Sequence, residues 1–113
     1  MNIENMTIKE AREIAALFNT SKAVADNGPW EIGKCYLIRT VTMIQTGRCV
    51  AVHDKEICLE DAAWIADTGR FSDSLLTLDF SEVEPFPDGS VILVGRGSIV
   101  DAVQIAKPVK TRK

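Results

Sequence analysis

The chain has 113 residues, 46% of them hydrophobic, with 13 Lys+Arg against 16 Asp+Glu for a formal net charge of −3. This is one domain with one modest core, and the composition excludes a disordered chain. No apolar run approaches the roughly 20 residues of a membrane span, and the acidic balance argues against strong non-specific binding to nucleic acid. The opening MNIENMTIKEAREIAALF puts acidic residues ahead of a helical rather than uniformly apolar pattern, unlike a signal peptide. A cytoplasmic protein without a membrane partner is the expectation.

Thr7 and Glu10 match a capping box. Ile8, Ala11, Ala15 and Phe18 then follow at helical spacing, widened by Ile14 and Leu17, with Lys9, Glu10, Arg12 and Glu13 opposite. The spacing predicts an amphipathic helix over about 7–19. Asp26-Asn27-Gly28-Pro29 is a loop, and Trp30 is placed to close one end of the core.

From Lys34 the text becomes β-branched and apolar. Tyr36, Ile38, Thr40, Thr42 and Ile44 alternate with Leu37, Val41 and Met43, which predicts a strand near 35–44. Gln45-Thr46-Gly47 is expected to turn. Strands near 48–53 and 56–62 follow, with Asp54-Lys55 between them. Cys35, Cys49 and Cys58 fall inside these strands, are odd in number and form no C-x-x-C pair, so they read as buried reduced thiols. His53 is the one histidine, so neither a metal site nor a cofactor is expected.

Residues 64–89 form an excursion too long to be structureless unless it carries function. Thr68-Gly69-Arg70 turns, 72–78 suits one or two helical turns, and Val83, Pro85, Phe86 and Pro87 return in extended form. Strands near 91–95 and 99–105 come next, hinged at Gly95-Arg96-Gly97. The hinge lacks the third glycine and the helix of a dinucleotide fingerprint, and a sharp corner explains it better. The closing run KPVKTRK is a basic tail, 107–113, expected to be solvated and mobile. Barrel strands over about 34–63 and 90–106 give the plan of a small bent barrel.

Leu59-Glu60-Asp61-Ala62 and Val94-Gly95-Arg96-Gly97-Ser98-Ile99-Val100, in this strand order, resemble the two motifs of the Sm/LSm/Hfq family. The nearest likeness is to the small Sm-like proteins of tailed phages and prophages. The likeness covers about two-thirds of the chain. It implies a mainly β domain: an N-terminal α-helix followed by a five-stranded, strongly bent antiparallel Sm-like (SH3-like) barrel. By position it carries over Arg96 and Gly97, less directly Asp54, and His53 as their neighbour, as residues that bind RNA or a nucleotide at a ring's pore. The asparagine that the first motif places after its aspartate is absent. The host cytoplasm would be the location if a phage encodes the chain.

The apolar edges at Val91, Ile92, Leu93, Val94, Ile99, Val100 and Val103 carry few gatekeeping charges, so partners at both edges are expected. A cyclic homo-oligomer of five to seven subunits follows by analogy. The alternative is a structural or adaptor ring, for phage assembly or host-protein interaction, using Trp64, Phe71, Phe80 and Phe86 instead of nucleic acid. Against a pore role, Arg96 has a structural reading, in which it holds Asp61 or Asp101 across the barrel. An enzyme is not expected. The side chains of His53 and Asp54 diverge on a strand, Ser98 has no nearby base, and a turn accounts for Asp67, Thr68 and Arg70.

Overall fold

The computed structural model describes residues 28–113; the expected helix over 7–19 lies outside them. The described part is mainly β. Its strands are β1 (Cys35–Thr40), β2 (Ile44–Val52), β3 (Glu56–Asp67), β4 (Glu82–Pro85), β5 (Ile92–Gly95) and β6 (Ile99–Ile105). One short helix, α1 (Phe71–Thr77), sits in the excursion, and a 3-10 turn, Arg96–Ser98, joins β5 to β6. All pairings are antiparallel, in the order β4-β3-β2-β1-β6, with β5 also on β3. There are thus six strands where five were expected. The addition is β4, which pairs with the far half of β3 while β5 pairs with the near half. The sheet is not closed into a barrel by hydrogen bonds, because β5 and β6 are not paired to each other.

The sheet is nevertheless curled, and the register shows why. Gly95 pairs with Glu56 at the start of β3, and Ile99 pairs with Thr40 at the end of β1. The four steps from Gly95 to Ile99 span at most about 14 Å. In a flat sheet those two places would lie about the length of β2 apart, roughly 26 Å for its run. Bulges supply the bend. Asp61 and Ala62 together oppose Gly47, Val50 is extra on β2 opposite β3, and Val100 is extra on β6 opposite β1. Asp61 itself has φ 51°, a left-handed conformation uncommon for a side-chain-bearing residue.

Two sequence expectations shift here. The turn at 45–47 is absent, and β2 runs straight through it. The chain turns instead at 41–43, where the Thr40 hydroxyl accepts from the Met43 amide at 3.0 Å and the Thr40 amide donates to the Met43 carbonyl at 2.8 Å. The short polar side chain at Thr40 ends the strand that alternation alone would carry to Ile44. Gly47 serves close packing instead: a Cβ there would lie 2.9 Å from Leu59 Cβ and 3.2 Å from Ala62 Cβ. β3 also continues to Asp67, because β4 gives its far half a partner.

Two apolar clusters cover the two faces. Tyr36, Ile38, Cys49, Ile57, Leu59, Ala62 and Val94 form one, with Trp30 and Phe86 packed against it. Cys35, Leu37, Ala63, Ile65, Phe80, Val83, Ile105 and Val109 form the other, with Phe71 and Leu75 at its border. β1 contributes to both and is buried on both faces over its first four residues. All three cysteines are free and buried, and burial pushes the Cys35 and Cys49 thiols above their ordinary value, so they stay protonated and unreactive at neutral pH.

The second cluster requires residues 107–113, so this run is not the loose tail its composition suggests. Val109 is buried in the cluster. The Val83 amide donates to the Lys113 carbonyl and the Lys113 amide to the Val83 carbonyl, both at 3.0 Å. Lys110 pairs with Asp88 at 3.0 Å and Asp61 at 3.1 Å, and Lys113 pairs with Asp79. Hydrogen bonding from Lys110, then from Arg48, holds the Asp61 carboxyl below its ordinary value.

Thr46 is fully buried, cross-strand to Leu37 and Ala63, and its hydroxyl has no hydrogen-bond partner. Replacing it by the isosteric Val removes an unsatisfied buried group. Thr46→Val should therefore stabilise the protein by about 1 kcal/mol, read as a higher urea midpoint at unchanged slope.

Candidate functional site

Three turns converge where the curled sheet brings its ends together. They are the β1–β2 tip at 41–43, the β2–β3 turn at 53–55, and the 3-10 turn Arg96–Ser98. Backbone bonds fix the arrangement. The Val41 amide donates to the Ser98 carbonyl at 2.9 Å, the Arg96 amide to the Lys55 carbonyl at 2.8 Å, and the His53 amide to the Glu56 carbonyl at 2.8 Å. The Ser98 hydroxyl closes the 3-10 turn on the Gly95 carbonyl at 2.7 Å. The Arg96 guanidinium donates through Nη1 to the His53 carbonyl at 2.9 Å. His53, Asp54, Arg96 and Gly97 are therefore neighbours, although 42 or more positions separate the two pairs in the chain. His53, Asp54 and Gly97 are exposed and Arg96 is half-buried.

Arg96 does have a structural bond, but to the β2–β3 turn. The two aspartates expected to hold it are engaged elsewhere. Asp101 takes a two-pronged pair from Arg39, and Asp61 lies between Arg48 and Lys110. Each carboxyl is held below its ordinary value by those hydrogen bonds, and the Arg39 guanidinium also stands 5.3 Å over the Phe71 ring. Lys55 and Val41, which sequence reasoning passed over, are structural members of the corner. Their contributions are backbone groups, which no side-chain pattern signals.

The glycines of the corner behave differently from expectation. Neither Gly95 nor Gly97 has a positive φ, so the turn does not need a left-handed residue there. A Cβ built on Gly97 meets nothing within 4 Å. The bend comes from the 3-10 turn and its Ser98 bond, and Gly97 is a bare stretch of backbone that the chain itself does not require.

The seven edge residues divide by strand alternation. Val94 is buried, and Ile92 and Ile99 pack against the first cluster. Leu93 is 67% exposed and Val100 65%, with Val91 and Val103 also exposed. Among the described residues, the outer edges of β5 and β6 have no strand partner. A further apolar group lies at the β1–β2 tip, where a cleft of about 410 Å³ is lined by Arg39, Met43 and Trp64, among others. Val41 and Trp64 are exposed there. Of the other aromatics expected to form a contact surface, Phe80 is buried, and Phe71 and Phe86 pack against the two clusters, so only Trp64 is presented outward.

Among the described residues, no group of three or more His, Cys, Asp or Glu is placed to hold a metal ion, and no helix is long and apolar enough to cross a membrane. In comparisons with known proteins, no protein-family model, no curated protein and no solved structure matches the chain.

If Arg96 anchors the 53–55 turn, Arg96→Ala should release it while leaving β2 intact. Amide hydrogen exchange is expected to rise at least fivefold over residues 53–56 and to stay unchanged over 45–50.

Proposed function

We propose that this chain is an Sm-like subunit that assembles into a closed cyclic homo-oligomer of five to seven copies and takes RNA or a nucleotide at the 53–54/96–97 corner. The observation that carries the reading is the pair of unpartnered edges. β6 lies on the free side of β1 and β5 on the free side of β3, as a bent five-stranded barrel requires, yet neither edge strand completes its own backbone bonding among the described residues. Each edge also exposes large apolar side chains, Leu93 on β5 and Val100 and Val103 on β6. Such edges in a protein that stays dispersed are normally covered or charged. Pairing β5 of one copy with β6 of the next is a heterologous contact, which closes into a ring when its rotation permits.

The corner supports the binding half of the proposal. Repeated around a pore, Lys55 and Arg96 concentrate positive charge even on an acidic protein, and Gly97 leaves backbone open to a base or phosphate. A second reading, an adaptor ring that contacts protein rather than nucleic acid, is favoured by exposed Trp64 and Val41 at the β1–β2 tip.

At micromolar concentration, light scattering should give a mass of five to seven subunits. Leu93→Lys with Val100→Lys should reduce it to one. A wild-type monomer removes the ring. In fluorescence titrations at low salt, where phosphate contacts are strongest, short U-rich or A-rich oligonucleotides should bind the ring. Gly97→Ala should weaken that binding tenfold or more, with folding stability within about 0.5 kcal/mol of wild type. A wild-type ring that binds neither oligonucleotide leaves the adaptor reading.

A further inference from the structure

We propose that the surface beneath residues 107–113 is a docking site for the same segment of a second copy, which can occupy it in place of the chain's own. The contacts are those by which a strand edge reads a peptide, with backbone bonds for affinity and side-chain slots for selection. Val83 gives both its amide and its carbonyl to Lys113. Phe80 and Val83 belong to the apolar cluster that receives Val109. Asp61 and Asp88 flank Lys110, and Asp79 takes Lys113. The site thus selects an apolar residue followed by cations one and four positions later.

The segment gives the core one side chain, Val109, and is otherwise held at the rim of the cluster by backbone bonds and ion pairs. Apart from the half-buried Asp61, its ion pairs join exposed partners, a class in which each pair contributes little. Val109 is its buried apolar anchor. An open cleft of about 430 Å³, lined by Leu78, Phe80 and Val83 and by Pro108 and Thr111 of the segment, among others, runs alongside it. Only Ala106, Lys107 and Pro108 stand between β6 and the anchor Val109. A short segment joined to the sheet by a few residues and facing an identical site on another copy can exchange at low cost. Attachment in cis gives the chain's own segment a high effective concentration, so exchange is favoured where copies are concentrated. The proposal needs two copies in contact but not a ring, and it does not involve the 53–54/96–97 corner.

The test uses a fluorescent peptide of residues 106–113 and the full-length chain carrying Val109→Asp, which disengages the resident segment by placing a charge in the apolar slot. Saturable binding to V109D is expected, at least tenfold tighter than to wild type, where the resident segment competes. A peptide with Lys110→Glu should bind V109D at least tenfold more weakly than the native peptide. If circular dichroism shows V109D unfolded, the double variant K110Q/K113Q replaces it, with the same order of affinities expected. Absence of saturable binding to a folded variant overturns the proposal. Equal binding to wild type and variant, or to the Lys110→Glu peptide, also overturns it by showing general attraction to an acidic surface.

Discussion

The bulge between β2 and β3 governs the shape of the whole domain. At that point two residues of β3, Asp61 and Ala62, face the single Gly47 of β2. Only a residue without a side chain permits the approach, since a Cβ at Gly47 would meet Leu59 Cβ at 2.9 Å. The mismatch throws Asp61 into a left-handed conformation and turns β3, so its near half faces β5 and its far half faces β4. A strained backbone position persists only when its surroundings over-determine it. Here Arg48 from β2 and Lys110 from the far end of the chain both hold the Asp61 carboxylate. The Arg48 pair is part-buried and the Lys110 pair more exposed, and both converge on the residue where the sheet changes direction.

From that bend follows the convergence of three turns that are remote in sequence. With the sheet curled, a three-residue 3-10 turn suffices to pass from the β3 edge to the β1 edge. The Arg96 guanidinium and amide then tie the β2–β3 turn to that crossing. The proposed binding corner is thus a product of curvature, and its rigidity comes from backbone bonds.

How much of this could be read beforehand depended on the kind of signal each element carries. Alternation of Tyr36, Leu37 and Ile38 with β-branched neighbours marked β1, and the second half of the chain likewise announced β5 and β6. The short helix at Phe71–Thr77 was visible in the text of 72–78. The turn at 45–47 was misplaced because glycine has two uses, positive φ and close approach, and a sequence does not say which applies. β4 was read only as an extended return, because its four residues, the last of them Pro85, give too short an alternation to mark a strand. The docking of 107–113 was invisible for a different reason. Lysines suggest solvent, and nothing local reveals that the intervening Val109 fills a cluster that, Ile105 apart, is built by residues 26 or more positions away. Within the candidate site, His53 and Arg96 are in contact, but the Val41–Ser98 and Arg96–Lys55 bonds are main-chain contacts that leave no trace in residue type.

The double burial of β1 bears on the order in which the domain matures. Its edges are covered by β2, which follows at once, and by β6, whose first residue lies 59 positions after the last of β1. Ribosomes add about 5–20 residues per second, so a nascent β1 waits several seconds with one border bare and part of its apolar text uncovered. Contacts of such long sequence separation also slow spontaneous folding. Over that interval the apolar side chains of β1 stand open to chaperones and to other chains.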